Sequence, residues 1–190
     1  MSENEKKITT GCKEMEEKAK RFTLLVSFFY PVLFVSCLPF MYWREGFLLP
    51  SKYFTGGMAM GTQVSIGLAF AMAVVWISVL SRRLFDQVRR GEYDIKEVVG
   101  NLSFFQILVI ASLSGITEEL LFRGVLQPAI GIWGASALFG IVHPPPTRNL
   151  FFYPIVAAVI GLGLWGIFLL TGESIVAPMI AHVSTHLCNI

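Results

Sequence analysis

Charge is scarce in the C-terminal half of this chain. From residue 102 onward, formal charges occur at only five positions: Glu118, Glu119, Arg123, Arg148 and Glu173. Over all 190 residues, 15% are charged and 54% are hydrophobic. A chain this apolar and this poor in charge falls outside the range of ordinary soluble domains. The composition therefore predicts a protein whose partner is the lipid bilayer.

Cysteine is also scarce, and basic residues form no extended face. The three cysteines, Cys12, Cys37 and Cys188, are scattered without a CxxC spacing. This pattern excludes a disulfide framework and a thiolate metal site. Net charge is only +2, and nucleic-acid binding would need a basic face with stacking aromatics. We therefore expect no nucleic-acid partner.

The sequence contains long apolar runs separated by turn residues. A bilayer-spanning helix needs about 20 such residues, which predicts an all-α polytopic membrane helix bundle of about five to six transmembrane helices. We expect residues 1–21 to be a charged cytosolic segment and residues 22–190 to form one transmembrane domain, whose C-terminal four helices form a core over residues 102–190. The apolar runs lie at 22–42, 57–80, 102–127, 131–143, 151–170 and 175–187.

Prolines and basic residues refine this layout. Pro31 and Pro39 are expected to kink or break the first helix, and Pro128 to end the third. The charged stretch 81–101 must be aqueous or interfacial, and it carries more Arg and Lys than the loop after the first helix. The positive-inside bias then predicts that the N-terminus and residues 81–101 lie on the cytoplasmic side.

All three histidines lie in the most apolar third of the chain, together with the Glu118-Glu119 pair. Ionisable groups in such segments are costly and usually mark a functional site. With a rise of 1.5 Å per helical residue, Glu118, His143 and His182 each lie about 14 to 18 Å from a predicted turn on one face. The sequence therefore predicts that they meet at a common depth.

Helical spacing also separates the two carboxylates. Glu119 and Arg123 are four residues apart and can pair on one face, whereas Glu118 points away and keeps its basicity as a desolvated carboxylate. His182 and His186 likewise share one face. An alternative remains open, in which both glutamates and Arg123 form a buried ion-pair cluster and the histidines are hydrogen-bonded core residues.

The motif region, residues 102–190, resembles the CAAX prenyl endopeptidase and bacteriocin-processing family of intramembrane proteases, also called CPBP or Abi. The order and spacing of three family motifs, EExxxR, FxxxH and HxxxN, carry the resemblance. They occur here as Glu118-Glu119-x-x-x-Arg123, Phe139-x-x-x-His143 and His182-x-x-x-His186. The last motif departs from the family pattern, since His186 stands where the family has Asn.

The resemblance implies an endopeptidase in a prokaryotic inner membrane that cleaves a membrane-tethered protein or peptide, with CAAX-type substrates among those open. Glu118 would activate the attacking water and His143 would hold or polarise it. His182 and the residue at position 186 would stabilise the oxyanion. Because position 186 holds histidine where the family has Asn, the role of this residue stays open. Arg123 with Glu119 would orient the catalytic helix.

Two questions stay open at the level of sequence. Glu118, His143, His182 and His186 could supply the ligands of a divalent ion such as zinc, although a metal-free glutamate–water mechanism is favoured. Other classes of protein would also place ionisable groups in a membrane. These are a proton- or ion-coupled transporter and a catalytically inactive scaffold of the same family.

Overall fold

The structure is a computed structural model that describes residues 3–46 and 51–189, and every element in those ranges is helical. This confirms the all-α prediction. The helices are α1 (Glu3–Glu45), α2 (Lys52–Thr55), α3 (Met60–Leu84), α4 (Asp86–Val99), α5 (Phe104–Glu119), a π-helical segment (Leu120–Leu126), α6 (Gln127–Ile141), a 3-10 turn (Arg148–Leu150), α7 (Tyr153–Leu170) and α8 (Val176–Asn189).

Four helical stretches are long and apolar enough to cross a membrane, namely Gly11–Glu45, Met60–Leu84, Phe104–Ile141 and Tyr153–Leu170. Large apolar side chains such as Phe28 and Trp76 cover their outer surface, as a lipid environment requires. The stretch 104–141 doubles back on itself. Helix α8 has 14 residues, or about 21 Å. Counting both arms of the bent stretch and α8 separately gives the six segments of the predicted bundle.

The prolines of the first run do not break it. Helix α1 continues through Pro31 and Pro39 for 43 residues, so the expected boundary at residue 21 lies inside a helix. Its contacts with the following helices hold it in place. Gln106 of α5 donates to Thr23 Oγ1 over 3.0 Å, and Met41 packs against Gly124 of the π-helical segment. Such neighbours compensate for the backbone bonds that proline removes in a membrane helix.

The third run turns at Gly131, three residues later than predicted. Pro128 is accommodated at the start of α6, and the break falls at Gly131, with φ 73° and ψ 173°. This conformation suits glycine because it has no Cβ to clash. The chain then runs back, so that the rings of Phe122 and Phe139 lie 4.8 Å apart, centroid to centroid. The bend creates the pair of helical arms that the site needs.

Helix α8 packs against α3, α5 and α7. Glycines allow its close approach. A Cβ on Gly67 of α3 would lie 2.6 Å from the Ala177 carbonyl oxygen, and one on Gly115 of α5 would lie 2.7 Å from Cγ2 of Val183. Small residues at helix interfaces are the usual means of close packing in membranes. They bring the histidines of α8 against α5.

The two ends of the bundle differ in composition. One end carries the charged stretch 81–101, and hydrogen bonds join Asn101 to Met15, Asn149 to Asp94 and Arg82 to Asn189. At the opposite end, backbone hydrogen bonds run from Gly57 to Thr171 and from Ile175 to Tyr53. The charged stretch therefore lies at the same end as residue 15, as predicted.

Candidate active site

The carboxylate of Glu118 faces two imidazoles. Its Oε2 lies 3.5 Å from Nε2 of His143 and 3.8 Å from Nε2 of His182. Glu118 is the penultimate residue of α5, His143 follows the end of α6, and His182 is on α8. Glu118 is 7% exposed and His182 6% exposed. The structure thus brings together the three residues that helical arithmetic placed at one depth.

The hydrogen bond at the other ring nitrogen of His143 fixes its neutral tautomer. Nδ1 of His143 lies 2.7 Å from the Phe139 carbonyl oxygen, which can only accept, so Nδ1 carries the hydrogen. The Phe139 ring also stacks on His143 at 4.4 Å. In its neutral form, His143 therefore presents the Nε2 lone pair to Glu118. The carboxylate oxygen and this lone pair both accept hydrogen bonds, so a donor such as a water molecule is needed to bridge them.

His182 is held by the predicted Glu119–Arg123 pair. Its Nδ1 lies 3.0 Å from Oε1 of Glu119, whose Oε2 lies 3.1 Å from Nε of Arg123. Both side chains of the pair are completely buried. Arg123 also donates to the Gly161 carbonyl of α7 over 3.2 Å. A continuous polar chain therefore links α7, the π-helical segment and the imidazole on α8.

Glu118 and Glu119 consequently have different surroundings. The open alternative of a single ion-pair cluster would join both carboxylates to Arg123, whereas the ion pair to Arg123 is made by Glu119. The change of helix type begins immediately after Glu119. At the end of this segment the Gln127 amide bonds to the carbonyl of Phe122, five residues earlier. Such π-turns inside α-helices are frequent at functional sites, and nothing in the residue spacing predicted this one.

His186 lies at the edge of the cluster. Its ring centroid is 4.7 Å from that of His182, and its Nδ1 lies 3.2 Å from Oγ of Ser114 on α5. Sequence reasoning did not single out Ser114. The only available signal was its position four residues before Glu118, on the same helical face.

Tyr30 is the main contact that sequence reasoning missed. Its hydroxyl donates to Oε1 of Glu118 over 2.5 Å, from α1 and 88 residues away in sequence. A second tyrosine, Tyr153, has its ring centroid 6.4 Å from that of His143. The signal was a polar-tipped aromatic directly after Phe28 and Phe29 within an apolar run. Buried tyrosine hydroxyls usually have a hydrogen-bond partner.

Four of these side chains, those of Glu118, His143, His182 and His186, are the possible metal ligands named from the sequence. Within residues 3–46 and 51–189, no group of three or more His, Cys, Asp or Glu side chains is arranged to hold a metal ion. Of the four candidate ligands, His186 turns its Nδ1 to Ser114. The metal-free glutamate–water mechanism favoured from the sequence stays a prediction.

Fold and site together define a polytopic helical membrane protein with a buried Glu–His centre. Residues 100–188 match the model of the type II CAAX prenyl endopeptidase Rce1-like family. An uncharacterized protein of Bacillus subtilis (strain 168), YpbD, is 38% identical over 118 residues, which cover 61% of each chain. This chain thus aligns with about six-tenths of that relative's length. No solved structure matches.

The resemblance read from the motifs is therefore confirmed as a similarity: the Rce1-like family model matches residues 100–188, just under half of the chain. The matched segment contains Glu118, Glu119, Arg123 and all three histidines. Tyr30 lies outside it. The catalytic roles assigned to the site residues stay predictions, and they are developed as a proposal below.

Proposed function

We propose that the chain is an intramembrane endopeptidase that hydrolyses a peptide bond in a membrane-tethered protein or peptide. CAAX-type proteins are the substrate class to which the family points. The observation that carries the proposal is the buried Oε2 of Glu118, with imidazole Nε2 atoms at 3.5 and 3.8 Å. Amide hydrolysis by water requires a positioned general base, and a carboxylate beside fixed imidazoles can supply one.

In the first step, a water molecule is held between Oε2 of Glu118 and Nε2 of His143. Glu118 takes one proton on Oε2 while the water oxygen bonds to the substrate carbonyl carbon. The carbonyl π electrons move to the oxygen and form the oxyanion. A positioned base contributes about a hundredfold to ten-thousandfold to such a step.

The oxyanion is stabilised from α8. The Nδ1 hydrogen of His182 is engaged by Glu119, so its Nε2 donates to the oxyanion in the imidazolium form. His186 donates from Nε2 when Ser114 donates its hydroxyl hydrogen to Nδ1. Fixed donors in a water-poor site are effective because they need no reorganisation. The C–N bond then breaks, and the leaving amine takes the proton from Oε2 of Glu118.

The test compares termini in cells that carry the native chain with cells that carry Glu118→Gln. We expect membrane-anchored proteins to show new termini only with the native chain. Glu97→Gln, at an exposed carboxylate on α4, is the matched control and should behave as native. Equal accumulation and equal helical content of the variants exclude a folding defect. New termini that persist with Glu118→Gln would reject the proposal.

We further propose a prokaryotic inner membrane with the N-terminus in the cytoplasm. The basic stretch 81–101 and residue 15 lie at one end of the bundle, which supports a shared cytoplasmic side by the positive-inside bias. Cys12 is exposed, and so is Cys188, whereas Cys37 is buried. An impermeant thiol reagent should therefore label inverted vesicles and leave spheroplasts unlabelled. Labelling of spheroplasts would reverse the orientation.

A catalytically inactive scaffold is the second candidate function. Histidine at position 186, where the family motif has Asn, is the observation that favours it. A scaffold would bind a membrane partner through the same Glu–His site without breaking a bond. The terminus comparison distinguishes the two functions, since a scaffold leaves the set of termini unchanged in every strain.

A further inference from the structure

We infer that Tyr30 is a positioning residue of the reaction centre, which orients the Glu118 carboxylate so that Oε2 serves as the base. The inference rests on the proposed function. It also makes α1 part of the active site, although the matched family segment begins only at residue 100.

Each oxygen of Glu118 has its own neighbours. Oε1 accepts the hydroxyl hydrogen of Tyr30 over 2.5 Å, within the range of short charge-assisted O–H···O⁻ bonds. Oε2 faces His143 and His182. The terminal torsion of a glutamate is broad and roughly two-fold. Without a tether, the carboxylate would also adopt intermediate angles at which neither oxygen faces the imidazoles.

The bond to Tyr30 remains useful throughout the proposed reaction. When Glu118 takes the water proton on Oε2, Oε1 becomes the carbonyl oxygen of a carboxylic acid and still accepts from Tyr30. The tyrosine keeps its own hydrogen at every step, so no extra proton enters the balance. Its effect is to direct the proton to the oxygen beside the imidazoles, from which the leaving amine recovers it.

Helix α1 is fixed on both sides of Tyr30. Thr23, about two turns earlier, accepts a hydrogen bond from Gln106 of α5. Met41, about three turns later, is buried against Gly124 of the π-helical segment. The neighbouring Phe29 meets the Tyr30 ring edge-on at 5.3 Å. A helix pinned at two levels holds the hydroxyl in register with α5.

The experiment compares Tyr30→Phe with Tyr42→Phe in the full-length chain. Tyr42 lies on the same helix and is 59% exposed, so its variant controls for the loss of a hydroxyl. With a tethered peptide that the native chain cleaves, Tyr30→Phe should lower kcat by roughly tenfold to a hundredfold, as expected for a misplaced reacting group. KM and thermal unfolding should match those of Tyr42→Phe. Equal kcat values for the two variants would overturn the inference.

A second measurement needs no turnover. The difference infrared spectrum between the native chain and Glu118→Gln identifies the carboxylate band of Glu118. Tyr30→Phe should shift that band, and Tyr42→Phe should leave it in place. If the native chain cleaves nothing, the proposed function fails. The band position still shows whether Tyr30 donates a hydrogen bond to Glu118. An unshifted band in Tyr30→Phe overturns the inference, whereas a shifted one supports the orienting bond.

Discussion

Nδ1 of His182 lies 3.0 Å from Oε1 of Glu119, and this contact ties an imidazole on α8 to a carboxylate on α5. The same carboxylate forms a fully buried ion pair with Arg123. Glu119 therefore serves two neighbours at once: it orients His182 through Nδ1 and neutralises a guanidinium within an apolar bundle. The first prediction follows from this double role.

Glu119→Gln keeps an acceptor for His182 but leaves Arg123 without a counter-ion. Breaking a buried pair in this way costs about 3 to 5 kcal/mol. We expect a corresponding fall in the free energy of unfolding, measured by circular dichroism in mixed micelles. The double variant Glu119→Gln/Arg123→Met should recover much of the loss, since it removes the uncompensated charge. A single variant as stable as the native chain would show that the pair is dispensable.

His186→Asn restores the residue of the family motif. An Asn amide can donate the hydrogen bond that we assign to His186, so we expect cleavage to be retained. His186→Ala removes the donor and should lower kcat by about a hundredfold to a thousandfold, the usual cost of one oxyanion donor. Single-turnover rates on a tethered peptide measure both effects. If His186→Ala cleaves as fast as His186→Asn, position 186 has no part in stabilising the oxyanion.

Catalysis is expected to be independent of a metal ion. Purified protein dialysed against a chelator should keep its rate, because Glu118 and His143 supply the base and the hold on water. Elemental analysis of the same sample gives the metal content per chain. A stoichiometric metal, with activity lost on stripping and restored by one cation, would contradict this mechanism and assign Glu118, His143 and His182 as ligands.

Gly115→Ala should separate α8 from α5. The added Cβ would lie 2.7 Å from Cγ2 and 3.1 Å from the backbone nitrogen of Val183, which flanks His182. Overpacking of this kind typically costs about 1 to 3 kcal/mol, and it also moves the imidazole away from Glu118. We expect lower thermal stability together with a lower kcat.

Gly166→Ala on α7 is the matched control for that variant, because its Cβ would meet no atom within 4 Å. In a helix interior, this substitution should be neutral or stabilising by up to about 1 kcal/mol. Similar loss of stability in both variants would attribute the effect to glycine replacement in general. In that case the contact between α5 and α8 would not be the cause.

Contacts were predicted correctly from the sequence where they depended on a single helix turn or on a single estimate of helix length. The spacing of Glu119 and Arg123 predicted their pair, because four residues complete about one turn. The depth estimates anticipated the meeting of Glu118 with His143 and His182, since each needed only a rise per residue and a turn. An error of three residues in the position of the bend, Gly131 in place of Pro128, was small enough to leave that meeting intact.

The spacing of residues along the chain did not predict contacts between helices that are far apart in sequence. Tyr30 meets Glu118 from 88 residues away, and the direction of its side chain depends on how α1 packs against α5. Continuity of α1 through Pro31 and Pro39 depends on the same packing. The π-helical segment after Glu119 contains Arg123, which lies between Glu119 and the Gly161 carbonyl of α7, and no local propensity encodes that position.

Composition and local spacing by themselves determined that this chain is a helical membrane protein, with Glu118 and three histidines as the unusual ionisable groups of its apolar segments. Those properties follow from the cost of charge in lipid and from the geometry of a single helix. Only the tertiary structure decided which oxygen of Glu118 faces the imidazoles, which partner holds each ring, and that α1 contributes Tyr30. These depend on the relative rotation of separate helices, which is set by packing between residues far apart in the chain.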